Sequence, residues 1–264
     1  MGKNNTPYFS LWLLLFIALS VVVGFSFIED KTTEGLPLKK APFKETLLAS
    51  VPVEENEMVY TPQEIEEEPE PLIIETDSLP KNIFLFGDSM TLNIALRMAE
   101  YAAENGHSFH AINWDASNTK LWAESDTLSY YIRQYKPDYI FVSLGSNEVY
   151  FKNPEVRAPF IKKIIEEIGD IPMVWIGPPN WNNDTGINDL LASLCGPGRF
   201  FKSEGIELKR KSDNIHPTRK ATIIWVDSLM RWMENSAHPI LTHVPSDSLG
   251  HVKTNVKIIK ASYN

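Results

Sequence analysis

Short apolar runs alternate with helix-like segments between residues 80 and 235, and this alternation constrains the fold more than any other feature of the chain. The apolar runs have the length of strands, and apolar residues recur at helical spacing in the segments between them. Strands that alternate with helices build a parallel sheet covered by helices on both faces. The sequence therefore predicts an α/β fold, a three-layer α/β/α domain with a flavodoxin-like parallel sheet.

The individual elements follow from the same pattern. Strands are predicted at 82–87, 108–113, 138–145 and 172–177, with a fifth near 205–210 and an extra edge strand within 251–264. Helices are predicted at 91–106, 121–135, 154–169 and 217–234. In such sheets ligands bind beyond the carboxyl ends of the strands, so that edge is where a site is expected.

The chain before this domain divides into three segments. Residues 8–28 carry no charge, and a helix of that length spans roughly 30 Å, which predicts a transmembrane anchor. A cleaved signal peptide is the alternative, but its apolar region is usually shorter. Residues 29–79 are acidic and contain scattered prolines, as is typical of a disordered linker. Residues 236–264 form a C-terminal extension.

Charges beside the apolar segment predict its orientation. Lys3 lies on one side, and Glu29 and Asp30 lie on the other. Positive residues favour the cytoplasmic side of a membrane. We therefore expect residues 1–7 in the cytoplasm and the domain at 80–235 outside it, in the periplasm or at the cell surface.

Composition removes several classes of function. The net charge of -9 offers no general attraction to nucleic acid, which binds through Lys and Arg. Cys195 is the single cysteine, which excludes an intramolecular disulfide and a cysteine-based metal cage. It lies in an apolar helical stretch and is predicted to be an inert core thiol. The histidines lack metal-ligand spacing, so neither a metal nor a cofactor is predicted.

Three polar clusters fall at the predicted edge of the sheet. They are GDSM at 87–90, GSNE at 145–148 and DNIHP at 213–217. Each by itself has the composition of a turn or a helix cap. Their occurrence together at one edge favours a functional site.

The clusters contain the groups needed for nucleophilic catalysis. Ser89 opens a helix, where backbone N–H groups favour negative charge, but its hydroxyl needs a base to remove the proton. His216 suits that role because an unperturbed imidazole is mostly neutral near pH 7. Asp213 can bond the other ring nitrogen and fix the tautomer. The backbone N–H of Ser89 and the side-chain amide of Asn147 can stabilise an oxyanion.

The order GDS, G-x-N and D-x-x-H-P resembles the SGNH/GDSL hydrolase superfamily of serine esterases and acyltransferases, over roughly residues 80–235. The resemblance implies that Ser89 is the nucleophile, Asp213 and His216 complete the triad, and Asn147 is an oxyanion donor. The family also has a glycine block after its second strand, whose backbone N–H is a third oxyanion donor, and the resemblance assigns that role to Asn118. Here that stretch reads NWDASNTKLW at 113–122. Asn118 is the best match, and we expect it in the left-handed conformation, where asparagine is tolerated.

Four further residues are predicted to contact substrate. Trp114 and Trp181 could stack on sugar rings, with burial in the core as the competing interpretation. Glu148 follows Asn147 and could orient a substrate, with a solvated carboxylate as the alternative. Asp88 directly precedes Ser89 and is also predicted to contact substrate.

The resemblance and the predicted anchor together imply a function. They indicate a serine ester hydrolase outside the cytoplasm that removes O-acetyl or other small acyl groups from cell-envelope polysaccharide or peptidoglycan. An O-acyltransferase to a sugar hydroxyl, supplied by a membrane acyl-donor partner, would use the same acyl-enzyme. Lipid or thioester hydrolysis, a non-catalytic glycan-binding module and a phosphate- or flavin-binding protein are the other open alternatives.

Overall fold

The computed structural model describes residues 16, 75–246 and 252–260. The predicted anchor at 8–28 lies outside the described residues except for Phe16, and so does almost all of the linker at 29–79. Within the described part of the chain, no helix is long and apolar enough to cross a membrane. Residues Pro69–Asn264 form one compact unit, which contains the elements below.

The described residues of this unit contain six strands and six α-helices. The strands are β1 (Asn82–Gly87), β2 (Ser108–Trp114), β3 (Tyr139–Ser143), β4 (Met173–Ile176), β5 (Phe200–Phe201) and β6 (Val256–Ile259). The helices are α1 (Met90–Glu104), α2 (Thr119–Glu124), α3 (Thr127–Tyr135), α4 (Ala158–Ile168), α5 (Ile187–Cys195) and α6 (Arg219–Trp232). Two 3₁₀ helices span Pro154–Arg157 and Met233–Asn235.

The strands form one sheet in the order β5-β4-β3-β1-β2-β6. Every neighbouring pair is parallel. The first five strands follow the flavodoxin-like order, in which the chain reverses its direction of travel between β1 and β3. The predicted α/β fold with a parallel sheet is confirmed, and the topology agrees with a flavodoxin-like arrangement.

Two hydrophobic cores cover the faces of the sheet. Phe84 and Phe86 of β1 belong to a core that includes buried residues of α2, α3, α4 and α5. Ile83 and Leu85 alternate with them and belong to the second core, with buried residues of α1 and α6. Both sets of β1 side chains are buried because the strand lies in the middle of the sheet. This burial explains the continuous apolar run NIFLF.

Two predicted elements differ from the structure. The helix predicted at 121–135 is divided into α2 and α3, because Ser125 adopts an extended conformation and its hydroxyl donates to the Trp122 carbonyl. Serine competes in this way with backbone hydrogen bonds of a helix. The fifth strand predicted near 205–210 is wrong. The strand that pairs with β4 is Phe200–Phe201, and Gly205 lies in a turn with a φ of 86°.

The C-terminal extension contributes to the sheet. β6 pairs with β2 from Ala111 to Trp114 and forms the edge beside it, as the sequence predicted. Near the other end of the strands, Asp77 forms an isolated bridge with Ile240. The described parts of 236–264 therefore pack as elements of the same domain.

Candidate active site

The three polar clusters meet at the carboxyl edge of the sheet. Ser89 follows β1, Asn147 follows β3, and His216 precedes α6. β1 and β3 are adjacent in the sheet, so the loops after them are neighbours. The hydroxyl of Ser89 reaches the ring of His216, which joins the third cluster to the first.

Gly87 allows the sharp turn that presents Ser89. A Cβ at this position would lie 1.9 Å from the carbonyl oxygen of Ser143 and 2.7 Å from the Oγ1 of Thr91. Only glycine fits so close an approach to the neighbouring strand. The next residue, Asp88, then donates its N–H to the Ser143 carbonyl at 3.0 Å, which fixes the turn against β3.

Ser89 and His216 are arranged for proton transfer. Although Ser89 stands at the N-terminus of α1, its side chain makes no capping hydrogen bond. Its Oγ instead lies 2.9 Å from Nε2 of His216. The other ring nitrogen, Nδ1, lies 2.9 Å from Oδ2 of Asp213. A carboxylate only accepts hydrogen bonds, so Nδ1 carries the proton and Nε2 is free to accept the proton of the serine.

The carboxylate of Asp213 is held in place by its own loop. Its Oδ1 accepts the backbone N–H groups of Ile215 and His216, each at 2.9 Å. These two bonds and the bond from the imidazole hold the pKa of Asp213 well below its usual range. The side chain is 43% exposed, so the anion is stabilised by hydrogen bonds rather than by a buried charge. It therefore stays ionised while His216 exchanges its proton.

Asn147 presents an oriented amide beside the nucleophile. Its turn requires Gly145, whose φ of 116° favours glycine. The Nδ2 of Asn147 donates one proton to the Ser117 carbonyl at 2.8 Å, which fixes the amide and leaves the second N–H for another acceptor. Within the described residues, the backbone N–H of Ser89 has no protein acceptor. Donors of this kind can stabilise an oxyanion.

The conformation of Asn118 differs from the expectation. The left-handed residue in this loop is Ala116, with a φ of 55°. Asn118 is extended, with a φ of -145°, and its side chain caps α2 by accepting the N–H of Leu121. An extended backbone needs no glycine, so asparagine fits at this position. The N–H of Asn118 has no acceptor among the described residues and remains a candidate third donor.

Asp88 is buried and its carboxylate is occupied by hydrogen bonds within the protein, while its contact with substrate stays a prediction. Its carboxylate accepts the N–H of Met90 at 3.0 Å and both the N–H and the hydroxyl of Ser146, at 3.2 and 2.6 Å. Burial raises the pKa of Asp88 to about 6, although these hydrogen bonds oppose the shift. The side chain joins the nucleophile turn to the loop of Asn147 and positions one against the other.

Glu148 is also buried, so the alternative of a solvated carboxylate is wrong, and its contact with substrate stays a prediction. Its oxygens accept the N–H of Thr119 at 3.2 and 3.3 Å and the Thr119 hydroxyl at 2.6 Å. The Nε of Arg157 lies 3.1 Å away. Burial raises the pKa of Glu148. Because Thr119 follows Asn118 and Glu148 follows Asn147, this contact holds the two candidate donors together.

The two predicted tryptophan contacts have different surroundings. Trp114 is half-buried at the end of β2 and packs edge-to-face on Trp122, with ring centroids 5.3 Å apart. Trp181 is also half-buried and donates its Nε1 proton to the Ser146 carbonyl at 2.8 Å. Trp181 therefore lies against the loop of Asn147 and packs on the edges of both cores, whereas Trp114 packs against one of them.

Comparisons with known proteins do not assign a family. No protein-family model matches the sequence, and no curated protein matches it. Among solved structures, the chain is similar to a gut microbial diltiazem-metabolizing enzyme, with a TM-score of 0.44 and 12% sequence identity. The match covers 61% of this chain and 48% of that enzyme. At this level of similarity the likeness carries no argument about function, which rests on the geometry of the site.

Sequence reasoning missed three residues that support the site. Asn113 is the last residue but one of β2 and accepts the Leu92 N–H of α1 at 3.0 Å, and a polar residue near the end of an apolar strand was a usable signal. Arg157 pairs with Glu148 across nine positions of sequence, which no local pattern reveals. Arg210 donates to the Ile215 carbonyl at 2.7 Å, directly before His216.

Within the described residues, no group of three or more His, Cys, Asp or Glu side chains could hold a metal ion.

Proposed function

We propose that this chain is a serine esterase of the SGNH/GDSL type that acts through an acyl-enzyme at Ser89. The observation that carries the proposal is the continuous pair of 2.9 Å contacts from Ser89 through His216 to Asp213. A Ser89 that served only as a helix cap would bond to the backbone of α1, and it does not. The donors beside it supply the second requirement of acyl transfer.

The proposed reaction follows from the positions of these groups. Oγ of Ser89 attacks the acyl carbon while its proton passes to Nε2 of His216, and Asp213 stabilises the imidazolium. The oxyanion accepts hydrogen bonds from the backbone of Ser89 and Asn118 and from the amide of Asn147. When the carbon–oxygen bond of the ester breaks, His216 returns the proton to the leaving alkoxide. Water then attacks the acyl group through the same base and releases the carboxylic acid.

The proposed substrates are O-acetyl or other small acyl esters on cell-envelope polysaccharide or peptidoglycan. Two features of the sequence support a location outside the cytoplasm: the uncharged segment at 8–28 and the acidic linker at 29–79. An extended linker of that length would let the domain reach polymers some distance from the membrane. This part of the proposal is independent of the catalytic mechanism.

The test of the mechanism uses the full chain purified in detergent. We expect turnover of p-nitrophenyl acetate and labelling by a fluorophosphonate probe, and both are lost in Ser89→Ala. Ser193→Ala is the matched control, because Ser193 is an exposed serine on α5 whose hydroxyl donates only to the Leu190 carbonyl. Well-folded protein that neither turns over the ester nor takes the label would contradict the proposal. Transfer of the acetyl group to an added oligosaccharide, read by mass spectrometry, would assign the chain to the acyltransferases instead.

A further inference from the structure

A shallow polar cleft, open to solvent, lies on the loop that carries Trp181. It has a volume of about 710 Å³ and is lined by Asn180, Trp181, Asn182, Asn183, Asp184 and Glu204. Five of the six lining residues belong to the loop between β4 and α5. The cleft is therefore formed largely by one loop at the carboxyl edge of the sheet, where ligands of such folds bind.

The loop that forms the cleft is held in one conformation by its own hydrogen bonds. Oδ1 of Asp184 accepts the N–H groups of Gly186 and Ile187, both at 2.9 Å. Its Oδ2 accepts the Asn188 side chain at 2.8 Å, and that same amide reaches Oδ1 of Asn180 at 3.2 Å. The Asp184 carboxylate therefore accepts backbone N–H groups at the start of α5. Asn180 and Asp184, at the two ends of the lining, are therefore held in place before any ligand arrives, which lowers the entropy lost on binding.

Two contacts join the cleft to the catalytic groups. Trp181 donates its Nε1 proton to the carbonyl of Ser146, the residue before Asn147. Arg210 donates to the Asn180 carbonyl at 3.2 Å and to the Ile215 carbonyl at 2.7 Å, and so connects the loop with the residue before His216. These contacts place the loop of the cleft against the residues that precede Asn147 and His216.

The chemistry of the lining selects a class of ligand. Within the described residues, the side-chain nitrogens of Asn180, Asn182 and Asn183 donate to no protein acceptor and can bond hydroxyl groups. Trp181 adds an aromatic surface, and amides around an aromatic ring suit the polar edges and apolar face of a sugar. The lining contains two carboxylates, Asp184 and Glu204, and no cationic side chain. Lys202 lies next to the cleft and pairs with Glu204 at 3.0 Å. A neutral ring is favoured over a carboxylate or a phosphate.

We propose that this cleft is the subsite that binds a neutral sugar ring of the acylated substrate. The inference rests on the esterase function proposed above. It attributes the selection of a sugar substrate to contacts with Asn182, Asn183 and Trp181. The acyl group lies at Ser89, and the ring that carries it, or its neighbour in the polymer, occupies the cleft.

The test compares two esters on the full chain. One is p-nitrophenyl acetate, which has no sugar, and the other is an O-acetylated methyl glucoside. In a variant with Asn182→Ala and Asn183→Ala, we expect the ratio of kcat/KM for the glucoside over p-nitrophenyl acetate to fall by about five-fold or more, the loss of one or two hydrogen bonds. Asn153→Ala, an exposed asparagine outside the cleft, is the control and leaves the ratio unchanged.

A binding measurement separates this inference from the esterase proposal. The Ser89→Ala protein should bind the acetylated glucoside, read by ligand-observed NMR, and the additional asparagine substitutions should weaken that binding. An unchanged kinetic ratio together with unchanged binding would overturn the subsite, even when p-nitrophenyl acetate is turned over. Preference for an O-acetylated glucuronic acid over the glucoside would overturn the assignment to a neutral ring. Binding to the cleft without any ester turnover would keep the subsite and remove the esterase.

Discussion

Replacing Glu148 with glutamine tests whether the contact between Glu148 and Thr119 holds the two candidate oxyanion donors, Asn147 and Asn118, in position. The wild-type carboxylate accepts hydrogen bonds from the N–H and the hydroxyl of Thr119 and pairs with Arg157 at 3.1 Å. Glutamine keeps the shape and one acceptor oxygen. Oε1 contacts both the Thr119 hydroxyl and Nε of Arg157, so glutamine keeps these two contacts only if its oxygen takes that position. The new amide nitrogen then replaces Oε2 and faces the N–H of Thr119, so a donor meets a donor.

The magnitude follows from burial. The side chain of Glu148 is 0% exposed and that of Arg157 is 11% exposed, so the variant leaves a nearly buried cation without its anion. Removing one partner of a buried ion pair costs about 3–5 kcal/mol, and the retained acceptor places this variant near the lower end. Displacement of Thr119 also moves the neighbouring N–H of Asn118. We therefore expect kcat to fall by about ten-fold or more, as small misplacements at a site commonly do.

Urea unfolding and p-nitrophenyl acetate kinetics measure the two effects. The control is Glu155→Gln, an exposed glutamate in the 3₁₀ helix that contains Arg157, and its effect should stay within about 0.5 kcal/mol. Adding Arg157→Gln to Glu148→Gln removes the unpaired cation and should recover about 1 kcal/mol or more, because replacing both members of a buried pair costs less than removing one. A Glu148→Gln protein as stable and as active as the wild type would refute this reasoning.

Three other predictions concern the same site. Since burial raises the pKa of Asp88 from 3.8 to about 6, the folded state binds that proton more tightly than the unfolded state. The unfolding free energy of the wild type should therefore fall relative to Asp88→Asn by about 3 kcal/mol as the pH rises from about 4 to above 6, in urea unfolding at several pH values. Asn147→Ala should lower kcat for p-nitrophenyl acetate by about 10²–10³-fold, with a stability loss of about 1 kcal/mol for the bond to Ser117. Asn118→Ala should lose about 1 kcal/mol of stability and Asn118→Gly only a few tenths, because the side chain caps α2. Both should keep kcat/KM, since the backbone N–H remains, and a large loss of activity in either would assign a direct role to the side chain.

The architecture could be predicted because its signals are local. The apolar run at 82–87 matches β1 residue for residue, and the strand pattern at 251–264 contains β6. The misplaced fifth strand shows the limit of that approach. β5 has two residues, Phe200 and Phe201, which are too few to establish a period. Its pairing with β4 is decided by tertiary packing.

The side chains in the site could be predicted only as far as motifs specify them. The glycine, serine and histidine motifs predicted which side chains meet at the sheet edge. The motifs could not indicate that Asp88 and Glu148 are buried. Their hydrogen-bond and ion-pair partners, Ser146 for Asp88 and Thr119 and Arg157 for Glu148, lie more than eight positions away in the sequence. Burial of an acidic residue is decided by its hydrogen-bond partners. Those partners become visible only when the loops are brought together.

The most direct test of the central claim is to capture the acyl-enzyme. The full chain is mixed with p-nitrophenyl acetate, quenched in acid within the first turnovers, digested and analysed by mass spectrometry. We expect one acetyl group on the peptide that contains Ser89, and none on that peptide from Ser89→Ala. Turnover of the ester without an acetyl group on Ser89 in the quenched wild type, or with the group on another residue, would contradict the assignment of Ser89 as the nucleophile.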